Sequence, residues 1–417
     1  MYDFVIMFST WRQIHLLVLT PFILTAASPA GALAQGVGNA PAQAAHPAAT
    51  IRLDTLQRVG DGYFVATEDG GRAELTLDPR MQEATDEVLR VFQIPYAGAV
   101  VLSIPDGRVL AMVGRSAADP RLGAEELTLH PWAPAASVFK VVSASALVEA
   151  GGLTGATRTC YHGGVSAVLP DNLVDIPAID GRCDTLAYGI GKSQNAILAK
   201  LASRHLTTES LLRVGQAFAF GQAIPFDLPI EPSHLDVPAD GLEFARTAAG
   251  FWHSTLSPMH GALLAATIAN RGVMPAPTIV ERATNSEGRA LVLPVAGPRR
   301  VVEASTAREV GRMMELTTSI GTAKHTFRDK KGRRLLAVEV AGKTGTLGAE
   351  TDHGYVGYSW FVGYAPADHP TIAFAVTLGN HPNWRIKATF VARRIVTEYL
   401  AGRAEKSGRA PRILAAR

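Results

Sequence analysis

A serine and a lysine three positions apart, Ser137 and Lys140, stand at the head of an apolar run that extends to Val148. Pro134 before the pair and Gly151 after the run are typical start and stop signals of a helix, so both side chains are expected on one face of its first turn. A serine hydroxyl becomes a useful nucleophile when a neighbouring base takes its proton. The pair therefore suggests covalent catalysis, although the same spacing also arises by chance.

Two later stretches carry side chains of the same chemical kind. Ser193 and Asn195 stand at the start of a second predicted helix, and Lys343 follows a predicted strand. Taken alone, Ser193 would be an ordinary helix N-cap and Lys343 would be a solvated strand end. The glycines at 342 and 345 would let the backbone of a ligand approach closely, as an added strand does.

The elements that must position these side chains follow from the hydrophobic pattern. Strands are predicted at residues 98–104, 108–113, 335–341, 355–364 and 371–378, and helices at residues 80–92, 138–150, 195–203, 208–218, 258–269, 305–318 and 385–400. Strands at both ends with helices between them indicate one sheet assembled from distant parts of the chain, with the middle helices forming a second lobe. The cleft between two such lobes is the usual place for a site.

The three motifs, Ser-x-x-Lys, Ser-x-Asn and Lys-Thr-Gly-Thr, occur in this order, and each occurs once. This triple resembles the signature of penicillin-binding proteins and serine β-lactamases. The segments 76–82, 256–259, 268–272 and 360–364 are also similar to transpeptidase-domain segments of penicillin-binding proteins, so the resemblance covers about residues 75 to 400. One departure is Ala136, where many relatives have glycine before the serine.

The resemblance implies an α+β fold of the β-lactamase/transpeptidase type. Its antiparallel five-stranded sheet would be flanked by the N- and C-terminal helices and would carry an inserted all-helical lobe. We expect a signal peptide at residues 1–34, a flexible linker at 35–50, a short N-terminal hairpin region at 51–77, the penicillin-binding transpeptidase domain at 78–402 and a basic, disordered tail at 403–417.

The resemblance also implies a role for each motif residue. Ser137 would attack the carbonyl between two D-alanines of a peptidoglycan stem peptide, and β-lactam antibiotics would acylate the same hydroxyl. Lys140 would be the base, which must be neutral, and both burial and repulsion from Lys343 would lower its pKa. Ser193 would relay the proton to the leaving amine.

Substrate binding is assigned by the same similarity. Asn195 would hold the substrate amide, and Lys343, Thr344 and Thr346 would bind the terminal carboxylate. Gly345 would belong to the same substrate-binding segment. The backbone N–H groups of Ser137 and Thr346 would form the oxyanion hole. This chemistry requires no cofactor and no metal ion. The histidines, including His253 and His260, fall at no recognisable ligand spacing.

Composition and the N-terminus restrict the class further. A chain of 417 residues with 47% hydrophobic content can fill a sizeable core, and a net charge of +3 gives no reason to expect nucleic-acid binding. Arg12, an apolar run at residues 15–25 and small residues ending at Ala34 have the order of a secretory signal, with an uncleaved anchor as the alternative. In an oxidising compartment Cys160 and Cys183 are expected to form a disulfide, the alternative being two free buried thiols.

Several functions fit these motifs to different degrees. The leading hypothesis is a periplasmic D,D-transpeptidase that binds peptidoglycan stem peptides, with a D,D-carboxypeptidase as its nearest neighbour. A β-lactamase is disfavoured because no stretch resembles the glutamate loop that positions the deacylating water in one class of these enzymes. A non-catalytic penicillin sensor is disfavoured because sensors of this kind usually attach to transmembrane signalling segments, which this sequence does not show. A scaffold is disfavoured because no motif residue is lost.

Overall fold

The computed structural model describes residues 51–293, 296–351, 354–382 and 385–406. The predicted signal peptide and linker lie outside the described residues, as does the predicted tail from residue 407 onward. Within these ranges no helix is both long enough and apolar enough to cross a membrane.

The strands and helices occur in the following order along the chain. The strands are β1 (Ile51–Val59), β2 (Gly62–Thr67), β3 (Arg72–Leu75), β4 (Tyr96–Ser103), β5 (Val109–Arg115), β6 (Ala133–Pro134), β7 (Arg158–Tyr161), β8 (Arg182–Thr185), β9 (Thr255–Leu256), β10 (Val273–Met274), β11 (Val280–Thr284), β12 (Arg299–Arg300), β13 (Ala341–Thr351), β14 (Gly354–Ala365) and β15 (Ile372–Asn380). The helices are α1 (Pro79–Phe92), α2 (Ala124–Thr128), α3 (Lys140–Glu149), α4 (Leu186–Gly191), α5 (Asn195–His205), α6 (Thr208–Ala217), α7 (Gly241–Ala248), α8 (Pro258–Ala269), α9 (Ala304–Ser319), α10 (Lys324–Phe327) and α11 (Ala388–Lys406). Two 3₁₀ helices cover Ala136–Phe139 and Pro170–Leu173.

A five-stranded antiparallel sheet in the order β13-β14-β15-β4-β5 forms the centre of the fold. Strands from the two ends of the chain meet where β15 pairs with β4, for example at Val376 opposite Ala99. Every residue of β15 is buried, because helices cover both faces of the sheet. The predicted fold, with a five-stranded sheet assembled from both ends of the chain, is confirmed.

Helices cover the two faces of this sheet. The terminal helices α1 and α11 pack together on one face, where Met81, Leu89 and Val391 join the sheet residue Phe374 in one apolar cluster. Helix α1 begins where the Asp78 side chain accepts a hydrogen bond from the Met81 N–H, with proline at the first helical position. The opposite face is covered by α8, whose residues from Pro258 to Ile268 are all buried.

The inserted lobe is mostly helical, as predicted, but it also contains short strand pairs. Strands β6 and β9, β7 and β8, and β10 and β12 pair antiparallel. Each is only two to four residues long, too short for the alternating pattern that identifies a strand in a sequence. Cys160 lies opposite Cys183 in the β7–β8 pair, and the two residues form a disulfide.

The structure differs from the predicted elements next to the third motif and at the C-terminus. Residues 335–340 do not form a strand. The apolar residues that suggested one, Leu336 and Val340, are instead buried in the apolar cluster with α1 and α11. The strand begins at Ala341, so Lys343 lies within β13 and does not follow it. At the C-terminus α11 continues to residue 406, beyond the predicted end of the helix at 400 and of the domain at 402, and Arg80 binds Glu405 at 3.0 Å.

The N-terminal region is larger than the hairpin expected from its sequence. Strands β1, β2 and β3 pair in succession, and the distant strand β11 adds a fourth strand beside β3. Leu75 lies opposite Val280 in this added pair. The pairing ties the N-terminal region to the segment that follows α8, which a local pattern cannot predict.

Candidate active site

The nucleophile candidate, Ser137, lies in the 3₁₀ turn Ala136–Phe139 that leads directly into α3. Ala136 before it has a φ of 49°, a left-handed backbone that favours glycine. The indole N–H of buried Trp360 donates to the carbonyl of Pro134 at 2.9 Å and holds the approach to this turn against the sheet. The segment is therefore fixed on the sheet side immediately before Ser137.

Lys140 is the first residue of α3, and its side chain is completely buried. Its Nζ lies 2.7 Å from Ser137 Oγ, 2.5 Å from Asn195 Oδ1 and 3.4 Å from Ser193 Oγ. All three neighbours are neutral oxygens. Burial holds the pKa of Lys140 well below its ordinary value, and the nearby charge of Lys343 lowers it further. A neutral Lys140 amine can accept the Ser137 proton across this distance.

Ser193 bridges the two lysines of the site. Its Oγ accepts a hydrogen bond from Lys343 Nζ at 2.9 Å and lies 3.4 Å from Lys140 Nζ. Ser193 is not the helix N-cap, because Gln194 occupies that position and the Ser193 backbone has a φ of 56°. This left-handed conformation precedes α5, so the structure favours the functional over the capping interpretation of Ser193.

Lys343 projects from β13 into the same buried cluster. Its Nζ donates to Ser193 Oγ and, at 2.8 Å, to the carbonyl of Thr344. Burial lowers the pKa of Lys343 to about 7. Among the described residues the structure brings no carboxylate within hydrogen-bond distance of Lys343 or Lys140. A carboxylate from a ligand would therefore be the first negative charge at this site.

Asn195, the first residue of α5, is oriented by a residue that sequence reasoning missed. Its Nδ2 donates to the carbonyl of Val165 at 2.8 Å, which turns Oδ1 toward Lys140. Gly164 makes the close approach possible: its φ is 64°, and a Cβ there would lie 2.4 Å from the Cβ of Ala196. The Gly163-Gly164 pair could have indicated a turn, but nothing in its spacing connects it with Asn195.

The remaining residues of the third motif lie along the edge of the sheet. Strand β13 is one of the two edge strands of the sheet. Gly345 on it packs against the turn that carries Ser137, where a Cβ would lie 3.3 Å from the Ala135 carbonyl oxygen. Thr344 shares a 2.6 Å hydrogen bond between hydroxyls with Thr322, another residue that the motifs did not identify. Thr346 is exposed farther along the strand. An edge strand of this kind can accept an extended peptide as an added strand.

The histidines considered at the sequence level lie in structural settings. The Nε2 of buried His260 lies 2.6 Å from the carbonyl of Phe218, and burial lowers the pKa of His260 to about 4. His253 binds Glu243 at 3.0 Å. In the part of the chain that the structure describes, no cluster of three histidine, cysteine or acidic side chains could hold a metal ion.

Comparison with known proteins gives the family. The model of the penicillin binding protein transpeptidase domain matches residues 97–398, which is most of the chain. The chain belongs to this family. The penicillin-binding protein transpeptidase domain therefore contains all three motifs, and the predicted resemblance is confirmed.

Relatives with curated names support the same assignment. The peptidoglycan D,D-transpeptidase PbpA of Mycolicibacterium smegmatis is 27% identical over 370 residues, which cover 80% of this chain and 72% of that protein. The stage V sporulation protein D of Bacillus subtilis is 23% identical over 76% of this chain and 51% of that protein.

Solved structures of penicillin-binding proteins share the fold. Penicillin-binding protein A of Mycobacterium tuberculosis, in its penicillin G acyl-enzyme complex, has a TM-score of 0.65 with 22% identity, covering 79% of this chain and 81% of that one. The transpeptidase domain of Burkholderia pseudomallei penicillin-binding protein 3 has a TM-score of 0.63 with 22% identity, covering 81% of this chain and 97% of that one. At this identity the likeness concerns the fold alone.

Proposed function

We propose that this protein is a penicillin-sensitive peptidoglycan D,D-transpeptidase. Ser137 Oγ attacks the carbonyl carbon between two D-alanines of a stem peptide, the terminal D-alanine leaves, and the acyl group waits as an ester on Ser137. An amine of a second stem peptide then attacks the ester and releases Ser137. The observation that carries the proposal is the 2.7 Å contact between Ser137 Oγ and the buried Nζ of Lys140.

The proton path follows from the same contacts. Neutral Lys140 takes the proton of Ser137 as the new C–O bond forms, and the leaving amine must receive a proton when the C–N bond breaks. The Ser193 hydroxyl, between Lys140 and Lys343, is the relay to that amine. In deacylation the acceptor amine loses its proton along the same path.

Substrate binding uses the edge of the sheet. The terminal carboxylate of the donor binds at Lys343 and Thr344, while the donor backbone lies along β13 past Gly345 and Thr346. Asn195 holds the amide of the donor from the opposite side. The backbone N–H groups of Ser137 and Thr346 form the oxyanion hole that stabilises the tetrahedral intermediate.

Similar proteins support the chemistry. The relatives at 27–28% identity are named peptidoglycan D,D-transpeptidases. Penicillin-binding protein A of Mycobacterium tuberculosis has been solved as acyl-enzymes with ceftriaxone, imipenem and penicillin G. Peptidoglycan stem peptides and β-lactams are accordingly the ligands proposed for Ser137 in this chain.

Export completes the proposal. Residues 1–34 act as a signal that delivers the enzyme to the periplasm, or that anchors it to the outer face of the cytoplasmic membrane if cleavage fails. The disulfide between Cys160 and Cys183 supports an oxidising compartment. N-terminal sequencing of the protein recovered from the periplasmic fraction tests export. A mature chain beginning at Gln35 is expected, and recovery from the cytoplasm with Met1 intact would contradict it.

A model stem pentapeptide ending in D-alanyl-D-alanine, supplied with a second stem peptide as acceptor, tests the reaction. The purified protein should form a cross-linked dimer and release D-alanine. The Ser137→Ala variant, which keeps the fold, should form neither product. If the protein released a tetrapeptide and formed no dimer, water would be the acceptor, and the reaction would be that of a D,D-carboxypeptidase. Covalent labelling of the alanine variant by a fluorescent penicillin would refute the serine acyl-enzyme altogether.

A further inference from the structure

An unfavourable backbone conformation places a tryptophan at the apex of a tight turn. Trp252 has a φ of 51°, and the His253 N–H donates to the Phe251 carbonyl at 2.7 Å, which closes a three-residue turn around it. A γ-turn with positive φ is rare and strained, most of all for a bulky residue. The Trp252 side chain is 53% exposed, so burial of its ring does little to offset this strain.

Helix α7 holds the residues on both sides of Trp252 in the chain. The Phe251 N–H donates to the Arg246 carbonyl at the end of α7 at 2.9 Å. The imidazole of His253 binds Glu243 of the same helix at 3.0 Å. Strained conformations persist where the surroundings over-determine them, and such conformations cluster at ligand sites. A clamped, strained turn that presents an exposed indole therefore indicates a functional role for Trp252.

The same turn lies against the segment that carries the nucleophile. On one side of it, a Cβ on Gly250 would lie 2.4 Å from the Ala136 carbonyl oxygen and 3.1 Å from Ser137 Cα. On the other side, the Ser254 carbonyl accepts a hydrogen bond from the Ala135 N–H at 2.9 Å. Both ends of the short segment thus contact residues 135–137, and Trp252, with its exposed indole, lies between these ends along the chain.

The proposed binding mode leaves one part of the donor without a partner. If Lys343 and Thr344 bind the carboxylate and Ser137 attacks the carbonyl carbon, the part of the donor on the other side of that carbonyl, its acyl side, extends away from Lys343. Val165, whose carbonyl orients Asn195, has a side chain that is 75% exposed, so it is a second apolar group next to a motif residue. An exposed aromatic ring with an apolar neighbour suits an aliphatic or aromatic group.

We propose that Trp252 is a specificity-determining residue whose indole packs against the acyl side of the donor. In a stem peptide this part is the aliphatic side chain before the D-alanines, and in a penicillin it is the acylamino side chain. The inference rests on the proposed function, because it requires Ser137 to be the acylated residue. The turn holds the ring in place before substrate arrives, which limits the entropy lost on binding.

Two β-lactams with one nucleus separate this role from a structural one. Benzylpenicillin carries a phenylacetyl side chain, whereas the bare penicillin nucleus carries a free amine in its place. In Trp252→Gly, which suits the positive φ, the ratio of the second-order acylation rate of benzylpenicillin to that of the nucleus should fall about threefold to tenfold. Trp252→Phe should retain most of the ratio. Val91→Ala, which removes an exposed apolar group on α1, should leave it unchanged.

The outcomes distinguish this inference from the proposed function. An unchanged ratio in Trp252→Gly, with both compounds still acylating Ser137, would overturn the role of Trp252 and leave the transpeptidase proposal intact. Absence of acylation in the wild-type protein would overturn both. The melting temperature of Trp252→Gly should equal or exceed that of the wild type because the strain is relieved. A lower melting temperature together with equal rate losses for both compounds would assign a structural role to Trp252.

Discussion

Two regions of the molecule bury lysine side chains completely, and they do so in opposite ways. In the active site, Lys140 contacts only hydroxyl and amide oxygens. On the far part of α5, Lys200 Nζ lies 3.0 Å from Asp180 Oδ2 and 2.8 Å from the carbonyl of Cys160. The residue type and the burial are the same, so the difference lies in the partners.

The partners decide which protonation state burial favours. A buried ammonium beside neutral oxygens loses hydration without gaining an opposite charge, so the pKa of Lys140 falls well below its usual range. At Lys200 the carboxylate supplies that charge. Hydrogen bonds from His162, the Ile176 backbone and Lys200 hold the pKa of Asp180 well below its ordinary value. One region thus holds a lysine that can act as a base, and the other holds a structural ion pair.

The two regions are also connected through one loop. Residues 160–183 are closed by the disulfide, tied to α5 through Lys200, and joined to the active site where the Val165 carbonyl accepts from Asn195. Asn195 and Lys200 belong to the same helix. The ion pair therefore supports the loop that orients Asn195, without contacting the reacting groups.

The largest expected effect is the loss of acylation in Lys140→Met. Without a base to take the Ser137 proton, the second-order acylation rate with a fluorescent penicillin should fall at least about hundredfold. The melting temperature should change little, because methionine fills similar space and removes a buried amine that has no carboxylate partner. A loss of less than tenfold, or a collapse of the fold, would remove the distinction between Lys140 and Lys200.

The converse change is Lys200→Met, which should reduce stability more than activity. Removing one member of a buried ion pair costs about 3–5 kcal/mol of unfolding free energy. The Asp180 carboxylate would keep only its hydrogen bonds with His162 and the Ile176 backbone. Acylation by the folded fraction should stay within a few-fold of the wild type. Denaturant unfolding gives the stability and penicillin labelling gives the activity. Lys330→Met on the surface is the matched control.

The sequence predicts the catalytic half of this comparison much better than the structural half. Three motifs with recognisable spacing identified the two serines, the asparagine and the two lysines that the structure brings together. Lys200 has no such signal, because its partner carboxylate lies twenty residues earlier in a loop and an isolated lysine in a helix is usually solvated. The backbone of Ser193 was likewise unpredictable, since tertiary contacts override its local preference for an N-cap.

Similar limits apply to the fold. The alternating and apolar patterns predicted most of the central sheet, whose strands are long enough to show a period. The strand assignment at residues 335–340 was wrong because burial under α1 and α11 gives the same apolar composition as a strand. Trp252 carried no signal at all, because a strained turn is visible only in backbone angles.

The disulfide tests how strongly the structural region supports the active site. Serine at both Cys160 and Cys183 should lower stability by about 3 kcal/mol in the chain-entropy estimate for a loop of this size. The freed loop should also slow acylation a few-fold by loosening the contact between Val165 and Asn195. Thermal unfolding and penicillin labelling measure the two effects. Thiol alkylation of the unreduced, exported protein should find no free cysteine, and two alkylated thiols would refute the bond.

The last expected effect, which needs no change to the protein, is a pH dependence that distinguishes the two active-site lysines. Lys140 must be neutral to accept a proton, so the acylation rate should fall as pH decreases through its lowered pKa. Lys343 must be charged to bind a carboxylate, and its pKa of about 7 means that the free enzyme loses this charge as pH rises above neutrality. The second-order rate should therefore pass through a maximum, with the alkaline side falling by at most roughly tenfold per pH unit.

Lys343→Arg isolates the alkaline side of that profile. Arginine keeps its charge at every accessible pH, so the variant should acylate more slowly than the wild type but lose the decline above neutrality. A β-lactam whose carboxylate is replaced by an amide should lack the decline in the wild type as well, since no charge then depends on Lys343. Stopped-flow acylation rates across the pH range measure both effects. If the alkaline decline persists in Lys343→Arg and with the amide compound, the decline does not come from binding of a carboxylate by Lys343, and Lys343 is not the carboxylate anchor.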